Sequence, residues 1–177
     1  MRKLLAALCA ALLTSCANVE VTDYRQEKPT LDLRTYFNGT VDAWGIFRDR
    51  SGKVVKRFTV VIDCKWQGEG DNSVGVLDER FTYSDGTTQQ RVWTLERQND
   101  GSYIGTAADV VGEARGEVAG NALRWRYVMA LDVDGKTYNV DFDDWMFLMD
   151  DKVMLNVSAM SKFGVDLGEV TLSFRKR

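Results

Sequence analysis

The chain has 177 residues, with 23 Lys+Arg, 26 Asp+Glu and no histidine, for a formal net charge of −3. That length corresponds to one domain, and the acidic balance excludes nucleic-acid binding, which needs a basic face. Without histidine there is no Ser-His-Asp or Cys-His catalysis, no histidine metal site and no imidazole base.

The first predicted element is a leader. Arg2 and Lys3 precede an apolar run from Leu4 to Leu13, which is shorter than the roughly 20 residues of a membrane span and matches a signal-peptide core. Leu13-Thr14-Ser15-Cys16 then has the form of a bacterial lipobox, in which cleavage before the cysteine leaves Cys16 to carry acyl chains. An ordinary secretory signal or a buried N-terminal helix are the alternatives. On the lipobox reading, residues 1–15 are a cleaved signal peptide, residues 16–30 are the lipidated cysteine and a flexible tether, and residues 31–177 are the folded body. The membrane contact is then the lipid itself, with each buried CH₂ contributing about 0.8 kcal/mol. Ala17 and Asn18 follow the cysteine where an aspartate would favour inner-membrane retention. Resemblance to bacterial lipoproteins therefore implies an outer-membrane anchor facing the periplasm, with the periplasmic side of the inner membrane as the alternative.

Cleavage removes Arg2 and Lys3, so Lys+Arg falls from 23 to 21 against 26 Asp+Glu, a mature net charge of about −5. Of the three cysteines, Cys9 leaves with the leader and Cys16 carries lipid, so Cys64 is left without an intramolecular partner. Its place in an apolar strand face suits a small buried hydrophobe; a reactive thiol is the other reading.

From Ala17 to Thr30 the chain is polar and reads as a tether with a coil span of about 20 Å. The stretch Leu31 to Phe37 suits one short helical turn, and Asn38-Gly39 ends it. Strands follow. Val41 to Arg48 carries Trp44 and Phe47, and a turn at Asp49 to Gly52 leads into a run where Phe58, Val60, Ile62, Cys64 and Trp66 share one face. Such alternation marks a half-buried antiparallel strand. Leu77 to Tyr83, Gln89 to Arg97 and a strand from Tyr103 come next, and Leu123, Trp125, Tyr127, Met129 and Leu131 share a face further on. Tyr138 to Met149, Val153 to Met160 and a last strand through Val170, Leu172 and Phe174 complete the chain. The Asp-Gly pairs at 85–86, 100–101 and 134–135 signal hairpins with type I′ turns. The predicted fold is all-β, an antiparallel up-and-down meander of about 8–10 strands closed as a lipocalin-like barrel. A barrel of that size is filled by side chains or holds one ligand.

Several constellations have chemical content. Asp141 and Asp143 share a strand face with Trp145, whereas Asp144 shares that of Phe142 and Met146. If the latter face is interior, Asp144 is a buried acid that needs a cation or donors. Lys162, Arg124 and Arg126 are available, although alternation puts both arginines on the face opposite Trp125. Asp144 is then either a head-group anchor in an apolar cavity or half of a structural ion pair. Trp44, Trp66, Trp93, Trp125 and Trp145 line a pocket or fill the core. The small residues from Gly105 to Ala122 either leave room for a ligand, with Arg115 at its polar end, or permit bends and close strand packing. Asp132-Val-Asp134-Gly135 lacks the remaining ligands of a calcium loop and reads as a hairpin. No metal or cofactor is expected.

Phe37-Asn-Gly-Thr40, Ala43-Trp-Gly45, Gly120-Asn-Ala-Leu-Arg-Trp-Arg126, Phe142-Asp-Asp-Trp145 and Met160-Ser-Lys-Phe-Gly164 together resemble an uncharacterised family of proteobacterial lipoproteins, domain of unknown function 3833. Members are often encoded near fatty-acid-modifying enzymes, so the resemblance implies a lipid connection and no defined activity. A looser likeness to lipocalins would pack Trp44 beneath Arg175, although Asp42-Ala43-Trp44 stands where lipocalins carry Gly-x-Trp. The expectation is a non-enzymatic, lipid-anchored periplasmic barrel binding a hydrophobic or lipid-derived ligand such as a fatty acid. Trp44, Arg115, Trp125, Arg126, Asp144, Trp145 and Lys162 are its candidate ligand-binding residues. The alternatives are an envelope scaffold docking a lipid-modifying enzyme, which would have a filled interior, and an enzyme that works through paired carboxylates.

Overall fold

A computed structural model describes residues 18–70, 73–133 and 135–177; the lipobox and Cys16 lie outside the described residues. Ten antiparallel strands run β1 (Gly39–Asp49), β2 (Val54–Gln67), β3 (Val74–Tyr83), β4 (Thr88–Arg97), β5 (Tyr103–Thr106), β6 (Ala114–Ala119), β7 (Ala122–Val133), β8 (Lys136–Leu148), β9 (Val153–Lys162) and β10 (Val165–Lys176). Each pairs with its neighbours in sequence, and β1 pairs with β10, so the meander closes into a lipocalin-like barrel without a free edge. Closure satisfies the backbone groups that an open sheet would leave unpaired.

The alternation expected of β2, β7 and β10 is present. Val60, Ile62, Leu123, Trp125, Met129 and Phe174 are all buried on the inner face. Cys64 is 2 % exposed on that face as well, and burial pushes its thiol up to about 12, which makes it an inert core residue.

The hairpin turns depart from the type I′ expectation. Gly86 donates its N–H to the Tyr83 carbonyl and Tyr83 donates to the Thr87 carbonyl, with Gly86 at φ +85° and Asp85 outside the positive-φ region. The same pattern recurs with Gly52 and with Gly101. These are three-residue loops, a type I turn followed by a left-handed glycine. Aspartate prefers to accept hydrogen bonds from the residues ahead of it: Asp85 Oδ1 takes the Thr87 N–H at 3.0 Å, and Asp49 and Asp100 do the same for Ser51 and Ser102 at 2.9 Å. The Asp134-Gly135 turn includes a residue outside those described. A two-residue turn with both central residues at positive φ occurs instead at Phe163-Gly164 (φ 52° and 75°).

One end of the barrel is plugged. The helical turn expected near residue 33 is α1 (Leu33–Tyr36), capped by Asp32, whose Oδ1 accepts the Thr35 N–H at 2.6 Å. Leu33, Tyr36 and Phe37 are buried in the core, and the Tyr36 hydroxyl donates to the Lys152 carbonyl at 3.0 Å. Trp66 Nε1 donates to the Phe37 carbonyl at 2.6 Å and pins the chain where it enters β1.

The polar stretch before α1 differs from the expected tether. A 3₁₀ turn at Val21–Tyr24 lies on the outside of the wall, with Val21 buried and the Tyr24 ring edge-on to Trp145 and Phe147 at 5.8 and 5.1 Å. Leu31 donates its N–H to the Gly120 carbonyl at 2.8 Å. The composition looked like linker because its few apolar side chains, Val21, Tyr24 and Leu31, are spaced to meet a wall rather than to form an amphipathic element.

Candidate functional site

The barrel is not filled. A cavity of about 480 Å³ runs from Leu33 and Phe37 on the plug towards Phe47, Lys56, Asp132 and Val133 near the opposite turns. Asp132 and Val133 are exposed, so the cavity reaches solvent at that end. Its walls are mostly aromatic and aliphatic, with Phe58, Phe81, Trp93, Trp125, Phe142 and Met160 prominent.

Inward positions on the later strands create its polar side. Tyr127 on β7 donates its hydroxyl to Asp144 Oδ2 on β8 at 3.0 Å, and Asn156 and Ser158 on β9 line the same region. Asp144 is 6 % exposed and Ser158 is 2 % exposed. Asp144 Oδ1 and Ser158 Oγ are buried on directly paired residues, near enough for the serine to favour the carboxylate but not hydrogen-bonded to each other, and neither atom has another partner. Burial pushes the Asp144 carboxyl up to about 6, against the pull of Ser158, Tyr127 and Asn156 beside it. Burial also raises the Tyr127 phenol well above its ordinary range, and the Asp144 charge adds to that.

Across the cavity, Glu79 on β3 and Arg91 on β4 face inward. Arg91 grips Asp109 with two nitrogens, Nε and Nη2, at 2.8–3.0 Å, and its Nη1 lies 3.6 Å from Glu79 Oε2. Asp109 belongs to the 107–113 connection, which fills the wall above the short strands β5 and β6; Ala130 donates to the Asp109 carbonyl and Val110 bridges to Met129. Burial pushes Glu79 up to about 7, partly offset by Arg91. The Arg91 guanidinium stays charged, because its bonds to Asp109 and the Glu79 charge outweigh its own desolvation.

Of the seven candidate ligand-binding residues, the fold brings only Trp125 and Asp144 into the cavity, and of the other tryptophans Trp93 lines it as well. Trp44 points outward and is 50 % exposed; the inward positions of β1 are Val41, Ala43 and Gly45. Arg175 is also exposed, so no lipocalin-type Trp–Arg pair closes the barrel. Arg126 pairs with Glu117 at 2.7 Å and Arg115 with Glu113 at 3.3 Å, both on the outer surface. Trp145 lies outside under Arg124, which binds Asp143 at 2.7 and 2.9 Å. Lys162, at the last position of β9, sits over the Tyr138 ring and near the exposed Asp141, outside the cavity. For Trp44, Arg175, Arg126, Arg115 and Trp145 the reason is parity: each is an odd number of positions from an inward side chain on its strand. Lys162 shares the parity of the inward Met160 but is the last residue of β9, and it does not line the cavity. The same rule would have found Glu79, Arg91, Tyr127, Asn156 and Ser158. They share faces with Leu77 and Phe81, with Trp93 and Leu95, with Trp125, and with Met154 and Met160.

The small-residue stretch leaves no room for a ligand. A Cβ at Gly116 would stand 2.1 Å from the Trp125 ring and one at Gly105 would stand 2.4 Å from it. These glycines seat the indole.

The profile of the family described as "Protein of unknown function (DUF3833)" matches residues 10–176. The chain belongs to that family. No curated protein matches it. Among solved structures, the S-type phycobiliprotein lyase CPES from Guillardia theta is similar, with a TM-score of 0.56 at 10 % identity over 83 % of this chain and 94 % of that one. At that identity the likeness is one of fold. A de novo designed fluorescence-activating beta barrel matches with a TM-score of 0.44 and 14 % identity over 83 % of this chain and 99 % of its own. The EF1p2_mFAP2b barrel bound to DFHBI gives 0.43 and 9 % over 80 % and 94 %.

Proposed function

We propose that this family member is a lipid-anchored, periplasm-facing binding protein of the outer membrane, whose barrel holds one hydrophobic or lipid-derived molecule without transforming it. The observation that carries this reading is the open, largely apolar cavity with unpartnered polar atoms in its wall. Its volume, about 480 Å³, lies within the roughly 300–1,000 Å³ of small-molecule sites, which are apolar with a few convergent polar groups. An envelope scaffold would instead have had a filled interior. An enzyme working through paired carboxylates would need two acids converging on one bond of a substrate; Asp141 and Asp143 face outward, and of the acids in the cavity wall Glu79 lies against Arg91 and Asp144 against the Tyr127 hydroxyl. The anchor rests on the lipobox at Leu13-Thr14-Ser15-Cys16.

Native mass spectrometry of the protein extracted from a bacterial envelope tests both parts. The expected spectrum shows a covalent acyl mass that is lost in Cys16→Ser, and a non-covalent apolar ligand retained in both forms. A protein that stays empty after incubation with envelope lipids would overturn ligand binding, and an unmodified Cys16 would overturn the anchor.

A further inference from the structure

The polar groups inside the barrel are unbalanced in sign. Glu79 and Asp144 line its inner wall, and the guanidinium of Arg91 is shared between Glu79 and Asp109, leaving Asp144 without a cation beside it among the described contacts. That guanidinium is already committed, with Nε and Nη2 on Asp109 and Nη1 towards Glu79. The other cation lining the cavity, Lys56, lies near the turns, 3.1 Å from Asp85 and over the Tyr83 ring. Among the described residues, no lining cation deep in the cavity is therefore left for an anionic head group; Lys56 stands at the mouth in an exposed pair that solvent screens. Meanwhile Asp144 Oδ1 and Ser158 Oγ stand unpartnered and more than nine-tenths buried on adjacent strands, where Asp144 and Ser158 are directly paired.

An unpaired carboxylate oxygen in an apolar wall is costly, and a donor or a cation relieves that cost. A fatty-acid carboxylate would bring another acid next to Asp144, with no cation beside it to offset the charge. A protonated amine would supply N–H donors to Asp144 Oδ1 and Ser158 Oγ and a charge opposite to that of the surrounding acids. Trp93, Trp125, Tyr127 and Phe142 border the same region, so the wall around the pole is aromatic, a surrounding that favours a cation over an anion. We propose that the Asp144–Ser158 pole receives the cationic, N–H-donating nitrogen of an amphipathic ligand, and that the cavity discriminates against carboxylate lipids. This rests on the ligand-binding reading above and specifies its chemistry.

A chain-matched series separates the two. Dodecylamine, dodecanol and dodecanoate are titrated into the full chain near neutral pH, with the intrinsic fluorescence of the cavity tryptophans as the readout. The expected order of affinity is amine, then alcohol, then carboxylate, with at least tenfold between the first and last. In Asp144→Asn the amine should lose about tenfold while the alcohol changes less than threefold; adsorption to the acidic outer surface would not respond to that substitution. Dodecanoate binding as tightly as dodecylamine would overturn the inference and leave the binding protein standing. Failure of all three to bind would overturn both. The wild-type order decides the matter even if Asp144→Asn does not fold.

Discussion

Phe163 shows how far a single residue can depart from its own preferences. It occupies the left-handed region at φ 52° in the β9–β10 turn, and its side chain is 92 % exposed. An L-residue with a bulky side chain is disfavoured there by about 1–2 kcal/mol, and the ring gains no burial in return; its one described contact is Lys162, 5.3 Å away. Phe163→Gly should therefore raise stability by roughly 0.5–1 kcal/mol after allowing for glycine's greater freedom in the unfolded chain. A higher urea midpoint at unchanged m-value would show it, and a lower midpoint would mean that the ring has packing value in the folded state. Asp144 is the opposite case, a residue whose position was legible from alternation with Phe142 and Met146. Its partner was not legible: the hydroxyl that meets it comes from Tyr127 across the β7–β8 ladder, whereas chemical reasoning pointed to arginines that sit on the far side of the same strands.

At the scale of the strand, an inward glycine paired with a large aromatic side chain recurs. Gly45 faces Phe58, Gly75 faces Trp66 and Gly116 faces Trp125 across their ladders, and a Cβ on any of them would come within 2.1–2.6 Å of the facing ring. The aromatic ring lies down over its glycine neighbour, which keeps the wall covered without filling the cavity. Gly116→Val should destabilise the fold by about 1–3 kcal/mol through overpacking against Trp125, with a visible change in tryptophan fluorescence. No loss of stability would mean the indole has somewhere else to go. The existence of these strands followed from period-2 alternation and aspartate-rich turns. The purpose of the glycines did not, because a gap in one strand is explained only by a side chain on the next. The 3₁₀ turn at Val21–Tyr24 is not legible for a related reason: its anchoring surface is the outer face of β6, β7 and β8, far along the sequence.

For the molecule as a whole, enclosing acids in the barrel has a thermodynamic consequence. Asp144 and Glu79 titrate near 6 and 7 in the fold and near 4 in an unfolded chain. Between about pH 4 and pH 7 the folded chain thus holds more protons than the unfolded one, so stability falls as pH rises through that window, and the full cost is present above it. Exposed carboxylates with lowered values, such as Asp42 beside Arg177 and Asp63 beside Arg80, act in the opposite sense and at lower pH, losing their contribution as pH falls through their folded values. Urea midpoints should therefore be lower at pH 8 than at pH 5, and Asp144→Asn should narrow the difference. Equal midpoints for wild type at the two values would show that the interior acids are hydrated in the folded state.

By itself the sequence determined the strand pattern, the closed meander, the short helical turn at residue 33 and the burial of Cys64. These follow from periodicity and turn chemistry, which act over a few residues. Only the tertiary structure decided that the barrel is hollow and that Arg91, the one arginine lining it among the described residues, is claimed by Glu79 and Asp109. It also decided that Asp144 and Ser158 meet as unpartnered neighbours. Those outcomes depend on which residues of distant strands fall opposite one another when the sheet closes, a register that is a property of the whole barrel rather than of any one strand.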